Sequence, residues 1–377
     1  MDRVLIVGGG IAGLMVAASL RSRGVDCEVV ERTEKWAPVG AGIVLSVNAM
    51  AVLRGLGLDE TLVRAGHVLG QGAITDASGR ALGSSDFSAL EPEFGPTVGL
   101  HRAALHEILL AAVGSTPIAM GTSVDAVESD ARGVDVRFTD GREDRFDLVI
   151  GADGLRSKVR DLVFGPRRIV YSGYTCWRFV VRAPLEHVHM REMWGRGHRF
   201  GVVPIGGGQV YCFAVANAPR GQADPAEGRL ERFRARFSAF GGDVPALIGA
   251  LESGDELIHN DLEELAEGPW CSGRVALIGD AAHAMTPNMG QGAAMSLEDA
   301  SVLVETLTNH ATIERALTEY EARRKPRVRW VQNQSRRIGR VGQLEFGPLC
   351  ALRNAVMRLV PDTAAGDALR KLASQPL

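Results

Sequence analysis

The apolar run Val4-Leu5-Ile6-Val7 passes directly into Gly8-Gly9-Gly10-Ile11-Ala12-Gly13 and then into an apolar helical stretch. Glu31 closes a second short strand about twenty residues further on, the spacing of a nucleotide-binding strand–turn–helix–strand unit. Glycines at 8, 10 and 13 allow a tight turn, a close approach of the backbone to a pyrophosphate, and close packing of the helix on the strand. The N–H groups of Ile11, Ala12 and Gly13 at the helix start then face phosphate oxygens. Leu14, Val16, Ala17, Ala18 and Leu20 form the helix body, Gly24 ends it, and Cys27-Glu28-Val29-Val30 leads to Glu31. A carboxylate there can accept hydrogen bonds from a ribose hydroxyl. The N-terminal segment therefore reads as a dinucleotide site.

Composition narrows the ligands. The 377 residues suggest two or three domains, and the 46% hydrophobic content is ample for a large core. A net charge of −3 and the lack of a polybasic run argue against nucleic acid and an anionic membrane. Small neutral or anionic metabolites fit better. Cys27, Cys176, Cys212, Cys271 and Cys350 are odd in number and lack CxxC spacing, so they read as reduced core thiols, with neither disulfide nor metal implied. The first strand begins at residue 4, and no apolar run reaches transmembrane length. A cytoplasmic protein is expected.

Along the chain, helices are expected over 48–58 and 100–113, the latter opened by His101-Arg102. Strands are expected over 124–128, 134–138 and 146–150, the last running into Gly151-Ala152-Asp153-Gly154. Between 170 and 259 the segments 174–181, 200–204 and 210–216 read as strands, with a helix over 230–240. This stretch reads as an antiparallel sheet inserted into the nucleotide fold. A buried strand over 275–278 and a long helix over 290–307 resume that fold. The arginine-rich stretch 315–340 reads as a solvated helix interrupted near Pro326.

Two later motifs bear on the cofactor. Gly279-Asp280-Ala281-Ala282-His283 follows a strand, and Pro287-Asn288-Met289-Gly290-Gln291-Gly292 opens the long helix. A carboxylate at a strand end can hold a sugar-alcohol hydroxyl, and a helix N-terminus presents free N–H groups and positive dipole to a negative group. The anionic edge of a reduced flavin is a natural ligand for such an end. Asp153-Gly154, followed by Arg156, Lys158 and Arg160, taken alone reads as a tight turn before a basic helix face.

Taken together, Gly8-x-Gly10-x-x-Gly13, Glu31, Arg102, Gly151 to Gly154, Gly279-Asp280 and Pro287 to Gly292 resemble the single-component FAD-dependent aromatic hydroxylases, the family of para-hydroxybenzoate, salicylate, 3-hydroxybenzoate and urate hydroxylases. The resemblance implies an α/β fold: a glutathione-reductase-type, Rossmann-like FAD-binding domain, an inserted antiparallel β-sheet substrate domain, and C-terminal helices. The FAD-binding domain would comprise 1–70, 96–169 and 260–340, the substrate domain 71–95 and 170–259, and a C-terminal helical segment 341–377. Glu31 would bind the adenosine ribose, with Arg32 and Val124 nearby. Arg102 would lie along the pyrophosphate, and Asp280 would hold the ribityl chain. Asp153 and Gly154 would serve FAD and NAD(P)H. The loop Gly40-Ala41-Gly42-Ile43 would line the flavin, and Gly279, Pro287, Gly290, Gln291 and Gly292 would cradle it. The implied reaction is hydroxylation of a small phenol-like aromatic or heteroaromatic ring through a flavin C4a-hydroperoxide, consuming NADH or NADPH and molecular oxygen, by a monomer or homodimer. An epoxidase or a hydroxylase of a larger polycyclic substrate is the alternative. A non-catalytic flavin-binding ligand sensor is the alternative of another class. No W-x-W-x-I-P segment of the flavin-dependent halogenases occurs.

The inserted region supplies substrate candidates. The strands 199–204 and 210–217 read as a hairpin, and with Val203 opposite Tyr211 the residues Arg199, Gly201 and Val203 share a face with Tyr211, Phe213 and Val215. Either Arg199 lies at a strand end in water and Tyr211 in the core, or the two orient a polar group of the substrate. They match the spacing of an arginine and a tyrosine in the FAD-dependent urate hydroxylases, where Asp stands in place of Asn288, which puts urate itself in doubt. Arg199, Tyr211, Pro287 and Asn288 are the candidate catalytic set, and Arg178, Arg199, Tyr211, Phe213 and Pro287 the candidate substrate contacts. Tyr171 to Cys176 resembles the matching strand of zeaxanthin epoxidases and marks the shared fold. His198 is a further polar candidate, whereas Trp177, Phe179 and Trp194 read as packing.

Overall fold

In the computed structural model, residues 3–36, 41–184, 189–360, 363–375 and 377 are described. Val4–Val7 is buried along its whole length, as its unbroken apolar sequence requires of a strand covered on both faces. It is central in a six-stranded sheet of order Cys271–Ser272, Val275–Leu277, Leu148–Gly151, Val4–Val7, Cys27–Glu31, Ile118–Met120. All pairs are parallel except the edge pair Cys271–Ser272 with Val275–Leu277. The helices Ile11–Ser22, Arg102–Val113 and Gly292–Asn309 pack together beside this sheet. Val124–Ser129, Val134–Phe138 and Glu143–Phe146 form a small antiparallel sheet.

The second large sheet has seven strands in the order Ile258–Leu265, Ile169–Arg182, Gln209–Asn217, His198–Gly206, Met190–Trp194, Gln71–Asp76, Ala81–Asp86. Two expectations need correction. Met190–Trp194 pairs parallel with Gln71–Asp76, so the sheet is mixed. Ile258–Leu265 also belongs to it, so the sheet runs past the expected boundary at 259. One face packs Trp177, Phe179, Phe200, Val202 and Cys212 against Phe233 and Phe237 of the helix Arg229–Phe237, which consumes Trp177 and Phe179 as packing; Trp194, opposite Arg199, lies on the other face beside Arg353. The opposite face carries Arg178, Arg199, Tyr211 and Phe213. The period-2 alternation along each strand produces this division.

The stretch 315–340 departs most from its sequence reading. It lies within one continuous helix, Ile313–Gly342, with Pro326 inside it, and Arg324 is fully buried. A run of arginines that looks like a solvated face contains a buried cluster.

Candidate active site

The glycine turn is held from several sides. Gly8 has φ +111°, and a Cβ there would lie 2.5 Å from the Ala152 carbonyl oxygen; one on Gly13 would lie 1.9 Å from the Gly8 carbonyl oxygen. Neither position tolerates a side chain, whereas Gly10 opens onto free space, where a phosphate group fits. Glu31 accepts from the Gly9 N–H at 2.8 Å and from the Thr33 N–H at 3.0 Å. The carboxylate thus shapes the turn itself, and its remaining lone pairs are left for a ribose hydroxyl. His106 Nε2 sits 2.9 Å from the Gly9 carbonyl and its ring 4.7 Å from that of Trp36. Trp36 and His106 brace the turn through tertiary contact alone, so no local pattern announced them.

Arg32 and Arg102 are both exposed, and neither guanidinium is paired with another described residue. Arg102 opens the helix Arg102–Val113, and its N–H donates to the Ala41 carbonyl at 2.8 Å, tying that helix to the strand Gly42–Leu45. Gly40 lies outside the described residues. The Val124 side chain is fully buried, so only its backbone is left for a ligand. Asp153 is engaged structurally: it accepts from the Ser157 hydroxyl at 2.5 Å and from the N–H groups of Lys158 and Val159 at 2.6 and 3.1 Å, capping the helix Lys158–Phe164. Burial pushes its carboxyl up against those hydrogen bonds.

The second cofactor motif rests on buried charge. Gly279 donates to Asp299 at 3.0 Å, His283 Nε2 lies 2.5 Å from the same oxygen, and Arg324 Nε donates to the other oxygen at 2.8 Å. Arg324 and Arg327 also donate to Glu298, at 2.6 and 2.7 Å. Asn48 links Glu298 to Gln291 at 2.7 and 3.0 Å, and Gln291 donates to Ser46 at 2.9 Å. Gln291 therefore turns its side chain inward and offers only its backbone to the cleft. The cluster fixes the Gly279–Asp280 turn and the start of the helix Gly292–Asn309 relative to each other. Its sequence signal is the pair Glu298-Asp299 within an otherwise apolar helix face. Asp280 is exposed, and its carboxylate has no partner among the described residues. Pro287 and Gly290 are exposed at the same opening, and Gly290 has φ +64°. A free carboxylate, an open helix N-terminus and two unpaired arginines form the donor and acceptor set a bound dinucleotide needs. Among the described residues no cluster of three or more His, Cys, Asp or Glu side chains could hold a metal ion.

On the sheet facing this opening, Val203 pairs with Tyr211 and Gly201 with Phe213, the register on which the expected face rests. A Cβ on Gly42 would lie 2.4 Å from Tyr211 Cβ, so Tyr211 is pressed onto the strand that follows Ala41. Arg178 lies beside the Tyr211 hydroxyl and also donates to Asn260. Burial pushes the Tyr211 phenol well above its ordinary value, and Arg178, whose guanidinium donates to the phenol oxygen, offsets this only in part, so the phenol stays protonated.

Arg199 is not in water. It is 2% exposed and donates to Gln343 at 2.9 Å, Glu192 at 2.8 Å and Asn288 at 2.7 Å. Asn288 shares its N–H groups among the Tyr174 hydroxyl, the Thr286 hydroxyl and the Ser335 carbonyl. The structure thus joins Arg199 to Asn288 and Tyr211 to Arg178, as two separate pairs on one face.

Sheet, turn and opening together define a nucleotide-binding α/β fold faced by the paired rings of Tyr211 and Phe213. The chain matches the family model described as "FAD binding domain" over residues 1–335, and it belongs to that family. It is 40% identical over 379 residues, 99% of this chain and 98% of its relative, to aurachin C monooxygenase/isomerase of Stigmatella aurantiaca. It is 39% identical over 365 residues, 96% and 95% of the two chains, to 2-heptyl-3-hydroxy-4(1H)-quinolone synthase of Pseudomonas aeruginosa. HpxO of Klebsiella pneumoniae, crystallised with FAD and uric acid, superposes with a TM-score of 0.92 at 28% identity, covering 100% of this chain and 97% of that one. The chain is an FAD-dependent monooxygenase.

Proposed function

We propose that the protein mono-oxygenates a nitrogen-containing aromatic ring of quinolone type carrying an apolar substituent, using NADH or NADPH and molecular oxygen. The observation that carries this reading is the contact of Tyr211 with Gly42. It brings a phenol donor and the Arg178 guanidinium onto the strand that the family resemblance assigns to the flavin. When bound, FAD supplies reduction by the nicotinamide and activation of oxygen; the protein supplies position and dryness.

We infer that the FAD domain is of the glutathione-reductase type, consistent with its parallel strand order and with Glu31 at the end of the second strand. Asp280 holds the ribityl chain, Arg102 and Arg32 offset the pyrophosphate charge, and the backbone from Gly290 to Gly292 faces the ring system. Tyr211 donates to a ring carbonyl of the substrate, and Arg178 stabilises the negative charge that builds there when the ring is activated. Phe213 packs the ring, and Val203, Leu69 and Phe87 form an apolar wall beside it, which suits an alkyl substituent and excludes water. Arg199 is a positioning residue that holds Asn288 and hence the Pro287 turn. The names of the two curated relatives above, an aurachin and a heptyl quinolone, support the substrate class.

The test is nicotinamide oxidation by the FAD-loaded protein against 2-alkyl-4-quinolones, hydroxybenzoates and purines, with hydrogen peroxide assayed in parallel. Quinolone-stimulated oxidation with little peroxide is expected. Stimulation by hydroxybenzoates or purines alone would overturn the substrate class.

A further inference from the structure

We propose that the outward face of the helix Gly347–Met357 docks onto an anionic lipid bilayer. Its inward side is anchored: Cys350 and Arg353 are buried, and Arg353 donates to the carbonyls of Gly342 and Gly195 at 3.2 and 3.0 Å with its guanidinium 5.4 Å from the Trp194 ring centre. Its outward side is Pro348, Leu349, Ala351, Leu352, Ala355 and Val356, all exposed and none charged. Phe346 precedes this face, and Leu359 and Val360 extend it; Leu352 is 60% and Leu359 83% exposed. A contiguous apolar stripe on a soluble surface marks a contact site.

Charge selects the occupant. Residues 336–360 contain five arginines against the single acid Glu345, while the whole chain carries −3; Arg353 is buried on the inward side, and Arg336 and Arg358 are paired with Glu264 and Asp76. Arg337 and Arg340 are exposed and have no partner among the described residues. An apolar stripe with a basic rim fits the headgroup boundary of an anionic leaflet, which attracts nearby cations. A second copy of the chain fits poorly, because a two-fold interface sets the patch against itself and the arginine rim against the same rim. The next helix, Thr363–Ser374, does not cover the face: it packs on Ala81–Asp86 and Val47–Arg54. The net charge alone concealed this local polarity.

The inward side of this helix is tied to the inserted sheet: Arg353 donates to the Gly342 carbonyl, and a Cβ on Gly342 would lie 2.8 Å from Arg199 Cδ. Delivery of an apolar substrate from the bilayer rests on the function proposed above; the lipid contact does not.

The experiment is flotation of the full-length, FAD-loaded protein with vesicles of phosphatidylcholine alone and of equal parts phosphatidylcholine and phosphatidylglycerol, with light scattering on the lipid-free protein. The protein is expected to float with the mixed vesicles, to be released by salt, and to remain monomeric without lipid. Leu352→Glu combined with Val356→Glu is expected to lower the bound fraction about tenfold or more while flavin absorbance and melting temperature stay unchanged. No flotation, equal flotation on neutral vesicles, or flotation indifferent to the double variant would overturn the proposal. So would a dimer that the double variant dissolves.

Discussion

Arg199 donates from Nη2 to Oδ1 of Asn288 at 2.7 Å, and through that amide the inserted sheet grips the Pro287 turn of the nucleotide domain. The contact spans 89 residues of sequence and joins the inserted sheet to the Pro287 turn at the candidate active site.

Arg199→Ala leaves Glu192 and Asn288 without their donor in a buried setting, so it is expected to cost about 3 kcal/mol of stability. Arg178→Ala is expected to leave the melting temperature close to wild type and lower kcat about tenfold or more, the loss of one charge-assisted hydrogen bond to the charge that develops on the ring. Thermal melts and steady-state kinetics on both variants separate the roles. A raised KM at unchanged stability for Arg199→Ala would instead place that residue on the substrate.

Asp280→Ala is expected to purify largely colourless. Its carboxylate is exposed and without a described partner, so removal leaves the fold intact and takes away only the group assigned to the ribityl chain. The ratio of flavin to protein absorbance reads the effect, and full FAD content in a folded variant would refute the assignment.

Burial opposes ionisation of Asp299, but His283 and Arg324 more than offset it and hold the carboxyl below the ordinary range. A depressed folded value means that the stabilisation is fully present above the unfolded aspartate pKa of about 3.9 and is lost as pH falls through the folded value. Asp299→Asn is therefore expected to have a lower melting temperature at neutral pH and a shallower fall on acidification. An acid limb identical to wild type would show that another group controls it.

Tyr211→Phe is expected to lower kcat/KM about tenfold without changing the shape of its pH profile, because the phenol remains protonated throughout the working range. Loss of a basic limb in the variant would show Tyr211 acting as a base.

Much of the nucleotide half was legible because its signals are local. Val4 to Gly13 carries strand, turn and helix start in ten consecutive residues, and Glu31 follows at a fixed distance. The faces of the hairpin were legible because, once Val203 is set opposite Tyr211, alternation fixes the side of every neighbour. What sequence missed depends on distant partners. Arg324 and Arg327 look solvated until Glu298 and Asp299 are packed against them. Trp36 and His106 meet only when the helix Arg102–Val113 folds back over the glycine turn. Arg199 and Tyr211 share a face as expected, but their partners, Asn288 and Arg178, lie on other elements, so the division into two pairs was not encoded in spacing.

The most direct measurement is mass analysis of the product formed from a 2-alkyl-4-quinolone under isotopically heavy dioxygen, with NADH and FAD-loaded protein. The account predicts a product heavier by one labelled oxygen atom and NADH consumption matched to it. An unlabelled product, or NADH oxidation that yields only hydrogen peroxide while the quinolone is unchanged, would contradict it.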